Sequence, residues 1–418
     1  MRDSKVNWLG EIPASWEARK NKYLFSILKR IAGKEGYDVL SVTQKGLRVK
    51  DIESGEGQLA DDYSGYQLVY PGDFVMNHMD LLTGWIDCSD FQGVTSPDYR
   101  VFRPKKNVPL DSRFYRLVFQ YCYSGRVFYN LGNGVSGQGR WRLQAPAFNN
   151  FIMPFPPLSE QRRIADYLDE RCDSIDKAEK TIEGEVGALQ RLRAATIFKA
   201  VTKGLDGDAP MQDSGVEWIG EIPVSWKMVP NHAVFSESRE IVGDRSEQYV
   251  LLSLTKQGVI ERDMDGGGKF PSSFDTYQVV HSGQMIFCLF DIDETPRTVG
   301  LSTLEGMITG AYDVFDVNER DCDSRYVLYY YLIVDEGKHL RPYYRSLRKT
   351  LTTTAFRHVK MLLPPIDEQH RIADYLDERC ATIDSAIDAR TRQLERLEDY
   401  RKALIYAYAT GKKEVPAS

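Results

Sequence analysis

The sequence predicts a mixed α/β fold in which one domain plan is written twice, each copy closed by a long helix. Three observations carry this. The segment Asp3–Glu17, DSKVNWLGEIPASWE, returns 210 positions later as Asp213–Lys227, DSGVEWIGEIPVSWK. The segment Pro156–Asp176, PPLSEQRRIADYLDERCDSID, returns 208 positions later as Pro364–Asp384, PPIDEQHRIADYLDERCATID, with the nonamer IADYLDERC identical. Each Pro-Pro pair opens a stretch of about 45 residues with no further proline and, in the second copy, no glycine before 411. A period near 210 is far above the roughly 20–50 residues of a solenoid unit, so each copy is a domain with an appendage.

Taken in chain order, the first domain offers strand-like pieces at Val39–Thr43, Gln67–Tyr70, Phe74–Met76 and Tyr99–Phe102. The second offers Val250–Thr255, Met285–Leu289 and Tyr312–Val317. Weak echoes align them: Ser41, Thr43 and Gly46 with Ser253, Thr255 and Gly258, and Gly93, Tyr99, Val101 and Phe102 with Gly306, Tyr312, Val314 and Phe315. Helix-like segments follow at Ser112–Tyr123 and Ser324–Val334, where Ser112-Arg113-Phe114 matches Ser324-Arg325-Tyr326. Pro156-Pro157 and Pro364-Pro365 then hold the backbone extended, and Ser159 and Asp367 are the expected N-caps of the long helices.

Apolar residues recur along these helices at steps of seven: Leu168, Ile175, Ile182 and Leu189, then Leu376, Ile383, Leu397 and Leu404, with Arg390 interrupting the second series. That period favours supercoiled helix pairing, and the other copy is the available partner. At about 1.5 Å per residue such a helix spans roughly 66 Å, more than a domain diameter. The charged residues Asp166, Asp169, Glu170 and Arg171 are kept as Asp374, Asp377, Glu378 and Arg379. Core packing does not demand this, so a partner-binding surface used twice is expected there. Gly204–Pro210 reads as a linker, and the plan divides at 1–157, 158–204, 205–365 and 366–412, with a 413–418 tail.

Composition sets the class. The chain has 418 residues, 42% hydrophobic and 27% charged, as expected of a globular protein. It has no apolar run of about 18 residues and no apolar leader at its N-terminus, so neither a membrane span nor secretion is expected. Its six cysteines form no CxxC pair, which argues against a zinc site or a disulfide scaffold and fits a reducing cytoplasm. The net charge of −6 speaks against nucleic acid until it is located. Residues 1–157 carry 20 basic and 16 acidic side chains, whereas 205–365 carry 16 and 24. Both domains nevertheless contain an acid-free basic tract just before the long helix. From Ser112 to Ser159 it includes Arg113, Arg116, Arg126, Arg140 and Arg142, with Gln138 in the glycine-rich stretch Gly132–Gly139. From Gly337 to Leu363 it includes Lys338, Arg341, Arg345, Arg348, Lys349, Arg357 and Lys360. Clustered Arg and Lys supply affinity for phosphates, and Arg, Gln and Asn read base edges. Arg113, Arg126, Gln138, Arg140, Arg142, Arg341, Arg345, Arg348, Lys349 and Arg357 are therefore the candidate DNA-binding residues.

Catalytic motifs are missing. There is no GxxxxGK[ST] loop, no HExxH helix, no GxSxG elbow, and no Asn or Asp before a Pro-Pro-aromatic triplet. Two domains without a shared reactive residue point to binding. The competing readings are a DNA-independent coiled-coil scaffold and a stand-alone methyltransferase or nuclease, the latter disfavoured by the missing motifs.

A tryptophan box (WLGEIPASW, WIGEIPVSW), a variable domain and a PPLSEQRRIADYLDERCDSID-type helix, all repeated, resemble the specificity subunit of type I restriction–modification systems. The resemblance implies two target recognition domains, each reading one half of a split DNA sequence. It implies an antiparallel coiled coil that spaces the half sites and binds two methylation subunits. It also implies a non-catalytic, cytoplasmic bacterial or archaeal chain without its own cofactor. S-adenosylmethionine, ATP and Mg would belong to the methylation and the motor-nuclease restriction subunits.

Overall fold

A computed structural model describes residues 1–416 apart from 54–58, 136–139, 264–269 and 345–348. The chain divides into two compact units, Met1–Glu183 with Thr391–Ser418, and Gly184–Arg390. Each is a mixed α/β domain seated on two helix segments, one from each long helix. The long helices run Leu158–Lys203 and Ile366–Ala409. They start one residue earlier than the caps expected at Ser159 and Asp367. The carbonyls of Pro157 and Pro365 accept the first helical N–H groups, those of Glu160 and Gln161 and of Glu368 and Gln369. Proline lacks a donor but keeps its acceptor, so it closes a helix start without a side-chain cap.

The centre of the first unit is a four-stranded sheet in the order Phe25–Leu28, Arg100–Pro104, Phe74–Met76, Ile86–Cys88, antiparallel throughout. The second unit repeats the order with Phe235–Ser238, Asp313–Val317, Met285–Phe287 and Val299–Leu301. Side chains alternate across a sheet, and here the alternation feeds two cores. Phe74, Met76 and Phe102 face a large core that includes the short helix Ser112–Ser124 and the long helix, while Val75 and Val101 face a small core with Leu40, Val42 and Leu47. In the second unit Met285, Phe287 and Phe315 face the large core, and Ile286 and Val314 face the small one. Both faces are covered, so these strands read as continuous apolar runs rather than as alternating patterns.

The two long helices pair antiparallel within each unit. In the first, Tyr167 Oη lies 3.3 Å from Tyr408 Oη, and Arg401 bonds Glu179 at 2.8 Å and also reaches Asp176. Leu168, Ile175 and Leu404 share the large core there. In the second, Arg193 bonds Asp384 at 2.8 Å, Arg390 bonds Glu185 at 2.7 Å, and Leu376 lies in the large core. Ile182 and Ile383 are buried, while Leu189 and Leu397 are half-buried.

Each long helix ends on a tryptophan box. Lys203 Nζ donates to the Ile219 carbonyl at 3.0 Å and to that of Glu221; Lys412 Nζ donates to the Leu9 carbonyl at 2.6 Å and to that of Glu11. The helix-terminal glycines Gly204 and Gly411 adopt φ of +76° and +71°. Only glycine takes that conformation freely. Trp16 and Trp226 are buried beneath these contacts, each worth about 3–5 kcal/mol against alanine.

Candidate nucleic-acid interface

Each domain is tied to its long helix by the same side chains. Gln161 is fully buried. Its Oε1 accepts the Asp111 N–H at 2.9 Å, and its Nε2 donates to the carbonyls of Pro109 at 3.2 Å and Pro156 at 2.8 Å. Gln369 does the same for the Asp323 N–H at 3.0 Å and the carbonyls of Asp321 at 3.0 Å and Pro364 at 2.8 Å. Asp111 and Asp323 in turn cap the short helices Ser112–Ser124 and Ser324–Glu336. A buried backbone polar group needs a partner, so this one glutamine serves three at each helix start. Its signal in the sequence was the identical Glu-Gln pair in both copies.

Next to it an arginine fork crosses from domain to helix. Arg113 Nη1 bonds Asp166 at 2.7 Å and Asp169 at 3.4 Å, and Arg116 adds Asp169 at 2.8 Å. Arg325 bonds Asp374 and Asp377 at 2.8 Å each and Asp323 at 2.9 Å. Tyr329 Oη donates to Asp377 at 2.7 Å. Bonds to Asp323 and Asp374 hold the Arg325 guanidinium far above its ordinary range. Two expectations therefore meet at one place. Asp166, Asp169, Asp374 and Asp377 are engaged within the chain, which gives their retention a structural reason beside the expected partner. Arg113, grouped with the DNA-facing cations, is committed to helix carboxylates more than 50 positions downstream. Glu170, Arg171, Glu378 and Arg379 lie exposed on the helices, Arg171 over the Tyr167 ring.

Within the first basic tract, Asn133–Val135 pairs antiparallel with Arg140–Arg142. The Leu81 N–H donates to the Trp141 carbonyl and the Leu143 N–H to the His78 carbonyl, each at 3.0 Å, and Trp141 Nε1 donates to the Tyr129 carbonyl at 2.8 Å. The first two bonds fasten these strands to the loop after Met76, and the third fastens them to the turn Tyr129–Leu131. His78, beneath it, is pushed down to about 4 by burial and then by Arg100 and Arg142, so it is neutral at pH 7. Arg126 is exposed at φ +55°, over the Tyr129 ring at 5.9 Å. Among the described residues neither Arg126 nor Arg142 forms an ion pair. Gln138 and the side chain of Arg140 lie outside the described residues.

The second tract is acid-free in sequence but not in space. Lys338 bonds Asp335 at 2.8 Å and the Thr295 carbonyl at 3.0 Å. Arg341 Nε donates to Asp293 Oδ1 at 2.9 Å. Lys349 Nζ meets Asp293 Oδ2 at 3.2 Å and Glu294 at 3.0 Å, and Tyr344 Oη donates to Asp293 at 3.3 Å. Arg341, then Lys349, hold the Asp293 carboxyl below its usual range. The counter-charges of Arg341 and Lys349 come from the loop after Phe287, some 50 positions away, where a linear charge count misses them, whereas that of Lys338 stands three residues earlier on the preceding helix. Arg357 is exposed and forms no ion pair among the described residues; Arg345 and Arg348 lie outside them.

Among the described residues no three His, Cys, Asp or Glu are grouped to hold a metal, and no helix is long and apolar enough to cross a membrane. Burial pushes Cys88 up to about 12 and Cys172 and Cys322 to about 11, keeping these thiols protonated.

Fold and site define a double-headed binding protein, with two unlike cation-bearing faces, the second partly neutralised by its own carboxylates, on one duplicated scaffold. Comparison with known proteins sharpens this. The family model for the type I restriction modification DNA specificity domain matches residues 13–186 and 310–396, more than half of the chain, and the chain belongs to that family. A putative type I restriction enzyme MjaX specificity subunit of Methanocaldococcus jannaschii is 22% identical, covering 98% of this chain and 96% of that protein. The type I restriction enzyme MjaVIII specificity subunit of the same organism is 25% identical over 68% of this chain and 67% of its own. A chain from a study of complex assembly and conformational transition of the type I R-M system has the same fold, with a TM-score of 0.68 at 13% identity, over 96% of this chain and all of its own. The HsdS subunit from Thermoanaerobacter tengcongensis aligns over 96% of this chain with a TM-score of 0.43 at 14% identity.

Proposed function

We propose that this chain is the DNA-reading, non-catalytic specificity subunit of a type I restriction–modification complex. Residues 1–157 and 205–365 act as target recognition domains, each reading one half of a bipartite duplex target. The long helices space the half sites and bind two methylation subunits, which carry S-adenosylmethionine. Restriction subunits using ATP and Mg complete the assembly. The observation that carries this is a retained scaffold beneath diverged faces: the glutamine clamp and arginine fork recur in both copies, while the basic tracts above them differ. One scaffold used twice suits two copies of one partner, and unlike faces suit unlike half sites.

In the first domain Arg126 and Arg142, and in the second Arg357, are the described candidates that form no ion pair among the described residues; Arg341 and Lys349 are exposed but paired with Asp293 and Glu294, and Gln138, Arg140, Arg345 and Arg348 join them on sequence grounds. Arg113 leaves this set for the scaffold. Of the expected partner-binding residues, Glu170, Arg171, Glu378 and Arg379 are exposed, and Asp166, Asp169, Asp374 and Asp377 would serve a partner beside their bonds to Arg113, Arg116 and Arg325. The test is assembly with the methylation subunits followed by duplex titration. Arg126→Ala with Arg142→Ala should leave native-mass stoichiometry at two methylation subunits per chain. It should lower duplex affinity and flatten the slope of log affinity against log salt by about 1 for each phosphate no longer neutralised. Failed assembly with unchanged affinity would reverse the assignment.

A further inference from the structure

The second recognition domain has a feature that the first lacks. The loop after Phe287 places Asp293 against Arg341, Lys349 and Tyr344, and Glu294 against Lys349. In the first domain the positions 211 earlier are Leu82 and Thr83, and the position 212 before Arg341 is Tyr129. Both loops share the same anchor: Asp80 and Asp291, again 211 apart, each accept an N–H four residues on through the backbone carbonyl. The acids are thus an addition to a common loop. The cations they face are not sealed away, since the side chain of Arg341 is 61% exposed and that of Lys349 is 42% exposed. Arg341 uses Nε on Asp293, which leaves its two terminal nitrogens for a phosphate.

A phosphate approaching these cations also meets two carboxylates about 3 Å from them. At about 0.1 M salt the screening length is roughly 10 Å, so attraction and repulsion reach the phosphate together and largely cancel. Non-specific binding depends almost wholly on this phosphate attraction, whereas a cognate complex adds base contacts. A self-neutralised patch therefore penalises random DNA more, in proportion, than it penalises the target.

We propose that Asp293 and Glu294 are specificity-setting residues: they compete with DNA phosphates for Arg341 and Lys349, and so raise the ratio of target to random binding by the second domain. This rests on the DNA-reading function proposed above.

The test is fluorescence anisotropy of the full chain, assembled with its methylation subunits, on a labelled duplex of arbitrary sequence and on its target. The variants are Asp293→Asn with Glu294→Gln, and, for the same gain in net charge elsewhere, Asp206→Asn with Asp208→Asn in the exposed linker. Freeing two cations should steepen the salt slope on random DNA by up to about 1.8, so that the gain in affinity falls about tenfold between about 50 and 200 mM salt. Target affinity should rise less, and the specificity ratio should fall. Adding Arg341→Gln and Lys349→Gln to the first variant should return both readings toward wild type. That step also separates the effect from misfolding, because it removes the unpaired cations. Unchanged random-DNA binding, or an equal gain from the linker variant, would overturn the inference and leave DNA reading intact. If no protein, wild type included, discriminates any duplex, the DNA-reading function fails and the inference with it.

Discussion

Gln369→Leu removes the buried side chain that ties three backbone groups of the second unit together, without changing its bulk. The side chain is fully buried and makes three hydrogen bonds, one from the Asp323 N–H and two to the carbonyls of Asp321 and Pro364. Leucine offers none of these partners, and the site is sealed from solvent. Each stranded buried group costs about 1–3 kcal/mol. The Asp323 N–H carries the most, because it lies at the start of the short helix, while the two carbonyls can relax in part. The expected destabilisation is about 3–5 kcal/mol. The assay is urea unfolding of the full chain followed by tryptophan fluorescence, since Trp218 and Trp226 both lie in the same unit. The transition of that unit should shift to lower urea while the other stays in place. Gln161→Leu should do the converse, through its bonds to Asp111, Pro109 and Pro156. A destabilisation below about 1 kcal/mol in either variant would mean that the clamp is replaceable, and the explanation for the retained Glu-Gln pair would fall.

The other expectations follow from the same contacts. Arg325→Ala and Asp377→Ala should couple by about 1 kcal/mol in a double-mutant cycle, because the pair is exposed; zero coupling would reduce the fork to an incidental surface pair. Gly411→Ala forces a Cβ into the Pro13 ring at φ +71°, and should cost more than about 1 kcal/mol in thermal unfolding, whereas Gly184→Ala, with open space around it, should cost nothing. His281 lies between Glu305 at 2.7 Å and Glu240 at 3.2 Å, with Arg245 on Glu240, and these carboxylates raise its pKa. A raised folded-state pKa gives stability that is full below the unfolded value of about 6.5 and is lost as pH climbs through the folded value. The lowered Glu240 and Glu305 give stability that is lost toward acid, below about 4.5. His281→Gln should therefore flatten the alkaline side of the stability profile and leave the rest of the chain unchanged; an unchanged profile would refute the contact.

The parts of this molecule visible in the sequence are those governed by local rules. The duplication, the long helices from Leu158 and Ile366, and the buried positions Leu168, Ile175, Ile182, Leu376, Ile383 and Leu404 follow from repetition, proline and heptad spacing. Strand Leu40–Thr43 and helix Ser112–Ser124 fall within a residue of their expected bounds. The electrostatics were hidden because they are long-range. Arg113 looked free until the helix acids folded back on it, and Arg341 and Lys349 looked free until Asp293 and Glu294 did. A charge run predicts a surface only when nothing distant in sequence lands on it. The same holds for Ser159, which has the right chemistry for a cap but yields the position to the Pro157 carbonyl.

The most direct measurement is methylome sequencing of cells that carry this chain with the methylation subunits proposed for it, against cells lacking it. Two unlike domains on one scaffold should yield a single bipartite, asymmetric motif, with two short specified segments separated by an unspecified gap. Exchanging residues 205–365 for the matching domain of another family member should change one segment and leave the other. A continuous motif, two segments changed by one exchange, or methylation independent of this chain would contradict the assignment.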